Sequence, residues 1–270
     1  MRWQAKKVLF LAISVSVLFL SMLVYYITYP FLFANSGFSL SPFCLFKLEQ
    51  HMKELSMFRM MLSGLLIYTF VVVCNKLRKQ YKYSRKLQKQ LHLIVRKEKQ
   101  LYILPTEEVV AFTTGFLKPK IVLSEGLFQS FMEAEIDAIV LHEEFHQKNY
   151  DPLKLFVFTT VAASMAYIPV LKEMLKRYST YKELLADQYV IRHMKSPLGL
   201  GSALLKFIGI KQRSNEFVTA PFAKTAINLR MQQIINPLSV IEKIPLHANA
   251  VYMTAGLFLT FAVFIMGECM

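Results

Sequence analysis

Residues 139–152, IVLHEEFHQKNYDP, place His142 and His146 four apart, with Glu143 directly after the first. Positions four apart on an α-helix are separated by about 40° around its axis, so two such imidazoles project side by side and can hold one ion. Glu143 flanks that row, and Glu144 points away. Neutral imidazoles suit zinc, and a carboxylate beside the ligand row can take a proton from an attacking water without occupying a coordination position. The competing reading is a solvated helix with two unrelated histidines. Catalytic zinc usually keeps three protein ligands and one open position, so a third donor must come from elsewhere. Glu183 and Asp187 qualify, at i and i+4 in the helical pattern YKELLADQYVIRH. One carboxylate would complete the ligand set, and the other would orient a ligand imidazole.

The ligand row needs a helix beneath it. Ser130 with Glu133 three residues on has the form of a capping box, which predicts a helix starting near residue 131. Before it, YILPTEEVVAFTTGFLKPKIVLSEG reads as two short strands, near 109–113 and 120–123, joined by a turn containing Gly and Pro. A strand edge beside a metal helix lets an extended peptide pair over the ion; a purely structural hairpin fits the letters equally. Beyond the acidic pair, Ser196-Pro197 opens another helix, and TAINLRMQQIINP a further one. Arg230 on that last segment could stabilise an oxyanion but reads as an ordinary surface arginine.

HEEFH followed by ELLAD, and preceded by AFTTGFLKPKIVLSEGL at 111–127, resembles the membrane metallopeptidases of the beta-lactam-sensing transducers, the BlaR/MecR type. The resemblance spans about residues 55–235 and rests on three ordered motifs. Those proteins are gluzincins, whose third ligand is a glutamate on a downstream helix. The resemblance therefore implies Glu183 as the ligand, Asp187 as its outer support, Zn²⁺ as the cofactor, and signalling by proteolysis that inactivates a cytosolic winged-helix repressor. No counterpart of the extracellular penicillin-binding sensor follows the last hydrophobic segment, so beta-lactam sensing is not expected. Two other readings stay open: a quality-control or prenyl-protein-type gluzincin, and a catalytically idle adaptor or immunity protein that keeps a structural zinc fold.

At 54% hydrophobic and 19% charged residues, the 270-residue chain is too apolar for an ordinary soluble domain. Residues 8–29 are uncharged and follow the basic start MRWQAKK without a cleavage site, which predicts a retained anchor. Residues 55–74 and 248–267 are two further candidate spans. Residues 76–100 hold ten Lys or Arg against one Glu, out of a chain total of +14. A basic run directly after a span marks the cytoplasmic side and an anionic leaflet rather than nucleic-acid binding. The expected fold is a mainly α integral membrane protein: a two-span anchor over 1–75 with a short external loop at 34–54, a basic linker over 76–100, a zinc metallopeptidase domain over 101–240 with a small β-hairpin or sheet beside the zinc helix, and a C-terminal span over 248–267. The N-terminus and the protease site would be cytoplasmic and the C-terminus external.

The apolar segment after Asp151 tests this topology. If it crossed the membrane once, His146 and Glu183 would sit on opposite sides. Pro169 is tolerated in the first turn of a new helix and disruptive inside one. A helix over 152–167 would run roughly 22 Å out, and 169–183 about 21 Å back, so a membrane-embedded hairpin is expected. Of the three cysteines, Cys44 and Cys269 would both face the outside, where a disulfide between them could persist, while Cys74 lies at an inner helix end. Two unconnected apolar thiols are the equal alternative. The chemistry expected overall is that of an endopeptidase, with Glu143 as general base and then general acid.

Overall fold

A computed structural model describes residues 2–33, 42–96, 99–213, 221–237 and 244–267. The chain is mainly helical and divides into two compact units, one holding residues 1–9, 79–159 and 174–245, the other 10–78, 160–173 and 246–270.

The second unit is built from long apolar helices: α1 (Arg2–Phe33) beyond its first turns, α2 (Pro42–Gln90) up to Arg78, the turn between α5 (Asp151–Ser164) and α6 (Pro169–Met194), and α9 (Ala248–Gly267). Among the described residues two stretches are long and apolar enough to cross a membrane, Trp3–Tyr25 and Met60–Gln90, and Ala248–Val263 is a shorter apolar helix. Phe10, Val17, Phe70, Val71, Tyr252 and Leu259 point outward, the pattern of a surface that meets hydrocarbon rather than water. The unit's interior is aromatic, with Phe19 packed on Tyr167, Phe258 and Phe261. It also carries polar links, Thr69 Oγ1 to the Ser164 carbonyl at 3.3 Å and the Val170 N–H to Thr254 Oγ1 at 3.2 Å. Pro169 opens α6, where its missing N–H costs nothing.

Two segments differ from the sequence reading. Residues 42–54, expected in an external loop, are helical, because α2 runs unbroken from Pro42 to Gln90. The basic segment continues that helix and then supplies β1 (His92–Arg96) and the first residues of β2 (Lys99–Leu104). The expected pairing of Cys44 with Cys269 depends on Cys269, which lies outside the described residues; Cys74 is a free thiol.

The first unit holds a four-stranded sheet in the order β1-β2-β4-β3, with β3 (Ala111–Thr114) and β4 (Lys120–Ser124) forming the expected hairpin. β4 is central, antiparallel to β3 and parallel to β2, and buried from Ile121 through Ser124, as a strand covered on both faces must be. Gly115, at φ +98°, makes the turn out of β3. Ser124 ends β4 and caps the short α3 (Glu125–Ser130), accepting the Leu127 N–H at 3.2 Å. Gly126 is obligatory there, since a Cβ would meet the Glu107 carbonyl at 1.9 Å.

Helix α4 (Glu133–Lys148) follows after two residues. Its cap is Met132, whose N–H donates to Glu135 Oε2 at 2.8 Å, and not the Ser130 and Glu133 pair expected from the sequence. The reason is local packing: Ser130 is spent in α3, and the buried Phe131 closes that helix through its N–H to the Leu127 carbonyl. Ile136, Ile139 and Val140 of α4 pack on Leu101, Ile121 and Leu123 of the sheet. Ala138 packs with Leu200 and Leu204 of α7 (Leu198–Arg213) and Ile234 of α8 (Pro221–Ile235). With two faces so fixed, the remaining face, bearing His142, Glu143 and His146, lines a cavity of about 470 Å³.

Candidate metal centre

Three donor atoms converge in that cavity. His142 Nε2 and His146 Nε2 are 3.1 Å apart; Glu183 Oε2 lies 3.2 Å from the first, and Oε1 3.7 Å from the second. Two ligands about 2.1 Å from one tetrahedral ion are separated by about 3.4 Å, so these atoms are spaced as edges around a single ion, and they form the metal-competent cluster found among the described residues. Two imidazoles and a carboxylate are also a donor set of hydrolytic zinc sites. The residues present fit the ion.

Each imidazole turns its other nitrogen to a carboxylate. His146 Nδ1 is 2.8 Å from Asp151 Oδ2. His142 Nδ1 is 3.0 Å from Asp187 Oδ1, a contact of ion-pair length outside hydrogen-bond angles. Asp187, buried completely, is gripped by Arg230, whose Nε donates to Oδ2 at 2.7 Å and Nη2 to Oδ1 at 2.8 Å. Arg230 Nη1 also reaches Glu183 Oε2 at 3.5 Å. Arg230 is thus no surface arginine, as the sequence suggested; it is largely buried and neutralises the acids around the centre. Asp151 was missed in the sequence as a partner of the centre. Its signal was available, an acid five residues after the second histidine. Tyr150 adopts φ 53° between α4 and α5, and this left-handed residue turns Asp151 back toward His146.

Electrostatics follow from these contacts. Burial disfavours the His142 imidazolium, but Asp187 and then Glu183 outweigh it and push its pKa up to about 9. Burial likewise opposes the Glu183 carboxylate, yet Lys182, His142 and Arg230 hold it well below the usual glutamate range. His142, Glu183, Asp187 and Arg230 form a salt-bridged cluster, and His142 would have to give up its proton to serve as a metal ligand. Glu143 stands beside the row. Thr113 of edge strand β3 places its Oγ1 2.8 Å from Glu143 Oε2 and 2.9 Å from the Glu143 carbonyl, fixing the carboxylate against the cavity wall.

A helix presenting His-Glu-x-x-His, completed by a glutamate from a later helix and bordered by a strand edge, defines the architecture of a gluzincin-type peptidase. Residues 42–234 match the family described as BlaR1 peptidase M56, and the chain belongs to that family. It is similar to "Protease HtpX homolog" of Sulfurovum sp. (strain NBC37-1), 36% identical over 69 residues, which is 25% of each chain. It is also similar to "Regulatory protein BlaR1" of Bacillus licheniformis, 28% identical over 110 residues, 40% of this chain and 18% of that protein. The chain thus spans a quarter or less of the length of either relative.

Proposed function

We propose that this chain is a membrane-bound zinc endopeptidase that cleaves a protein substrate at the cytoplasmic membrane face. The observation that carries the reading is the convergence of His142, His146 and Glu183 in a cavity that Glu143 also lines. When bound, zinc supplies a Lewis acid for the scissile carbonyl and makes the attacking water more acidic. Glu143, held by Thr113, takes the proton from that water and delivers it to the leaving amine. Asp151 and Asp187 fix the two imidazole orientations, and Arg230 keeps Asp187 ionised. Ala111, Phe112 and Thr113 border the cavity, so a peptide pairing with the edge of β3 lies across the donor row.

The proposed topology has three crossings, by α1, α2 and α9, with the N-terminus inside, the C-terminus outside, and α5 with the start of α6 as a hairpin sunk in the membrane. Supporting it are the basic run after the second span, which meets anionic lipid on the cytoplasmic side, and the approach of His146 to Glu183 despite the apolar segment between them. The substrate is proposed to be a transcriptional repressor, supported by similarity to a relative named as a regulatory protein. Similarity to a relative named only as a protease favours, as second reading, a membrane protease without a repressor substrate.

Co-expression with candidate repressors tests the activity: cleavage by the wild type that disappears in Glu143→Gln is expected, and cleavage undiminished by that change would contradict the assignment. Single-cysteine labelling tests the hairpin, with Lys148→Cys and Lys182→Cys both reacting from the cytoplasmic side. External labelling at position 182 alone would refute it.

A further inference from the structure

A second cavity, of about 150 Å³, adjoins the metal cavity, and Asp151 and Lys182 line both. Three lysines from three elements line it: Lys6 on α1, Lys154 on α5 and Lys182 on α6. Against them stands Asp151, whose carboxylate is engaged by His146, and Tyr178, whose phenol is kept protonated by burial and by the nearby Asp151. Leu9, Phe145 and Leu185 form apolar wall. Three lysines and one carboxylate around a half-open, partly apolar cavity attract an anion. The volume equals about five waters at about 30 Å³ each and falls below the roughly 300 Å³ at which ligand pockets for larger molecules begin. A phosphate group fits; a peptide does not.

Among the described residues only Lys182 of the three ammonium groups has a carboxylate partner, Glu183 Oε1 at 3.1 Å, while Lys154 donates to the Asn149 carbonyl. The Lys182 contact bears on the metal. Glu183 is the third donor, and an ammonium on its oxygen competes with a cation for the same lone pairs. An anion between Lys6 and Lys154 draws Lys182 toward itself and off Glu183. The geometry points to a regulatory phosphate site, in which the phosphate of an anionic phospholipid, held by Lys6, Lys154 and Lys182, frees Glu183 for the metal. Free inorganic phosphate shares this chemistry. The inference rests on the metal-centre reading above.

Zinc affinity of the full chain, measured by competition with a chromophoric chelator, tests it in three settings: nanodiscs of phosphatidylcholine, the same discs with added inorganic phosphate, and discs that include phosphatidylglycerol. Phosphatidylglycerol should raise affinity by about ten- to a hundredfold, the size of outer-shell effects. The double variant Lys6→Gln/Lys154→Gln should lose that gain although the basic run of α2 is intact. Lys182→Gln should bind zinc more tightly than wild type in plain phosphatidylcholine and gain little from the anionic lipid. A gain with inorganic phosphate alone supports the site and assigns the free ion as occupant. Zinc affinity in the wild type that ignores both additions, or an equal gain in the double variant, overturns the inference. Absence of zinc binding in every disc overturns the metal reading beneath it.

Discussion

His142 and His146 stand one turn apart on α4 and aim the same nitrogen at the same point, yet their outer nitrogens are held in different ways. His146 is supported locally, by Asp151 five residues on, placed by the turn at Tyr150. His142 is supported across the fold, by Asp187 of α6, itself clamped by Arg230 of α8. The local support forms once two adjacent helices fold. The long-range support forms only when α4, α6 and α8 have all docked, so the metal centre reports on the assembly of the whole unit through one imidazole and not the other.

The largest effect that separates the two halves should come from Arg230→Met. Asp187 would be left buried beside an imidazole alone, and breaking a buried ion pair of this kind costs about 3–5 kcal/mol. Thermal unfolding of the detergent-purified variant checks it, and an unchanged Tm would place Arg230 outside the support. Asp151→Asn should leave the fold intact and lower metal affinity by about tenfold or somewhat more, whereas Asp187→Asn should lower both affinity and stability, because it also leaves Arg230 without its partner. Equal unfolding curves for these two variants would erase the distinction between local and long-range support.

The pH dependence of the metal-free protein sharpens the contrast further. His142 is raised to about 9 by its acidic neighbours. Its contribution to stability is therefore complete below the ordinary histidine value near 6.5 and is lost as pH rises through about 9. The Tm of the metal-free protein should fall over that window, and zinc binding at neutral pH should release a proton measurable as a buffer-dependent heat. Asp187→Asn should flatten the Tm profile. The smallest effect is expected at the base: Thr113→Val should slow cleavage by about tenfold, the worth of one hydrogen bond to a charged group, with zinc content unchanged and Thr113→Ser recovering most of the rate.

What was legible of this centre was what repeats along a helix, the two histidines one turn apart and Glu183 with Asp187 at the same spacing, whereas Asp151, close in sequence but outside that pattern, was missed. His142, Glu143 and His146 follow from helical spacing alone, and Pro169 announces the new helix that returns to Glu183. Strands β3 and β4 were readable because AFTT and KIVLS are short apolar runs around a Gly- and Pro-containing turn. Strand β1 and the start of β2 were hidden by charge: HLIVR and the first two residues of KQLYIL belong to the basic run over 76–100 that reads as a cytoplasmic linker. Arg230 was misread because its partner is 43 residues away, and no local pattern distinguishes a clamped arginine from an exposed one. The start of α4 was misplaced by two residues because two overlapping Ser/Met-to-Glu spacings compete there, and the burial of Phe131 decides between them.

Metal content and proteolysis measured together across four variants test the central assignment most directly. The wild type should carry about one zinc per chain, matching three protein ligands. His142→Ala, His146→Ala and Glu183→Ala should lose the metal and the activity. Glu143→Gln should keep the metal and lose the activity. Zinc lost from Glu143→Gln as fully as from His142→Ala, or retained in Glu183→Ala at wild-type affinity, would contradict the division of roles between the ligands and the base.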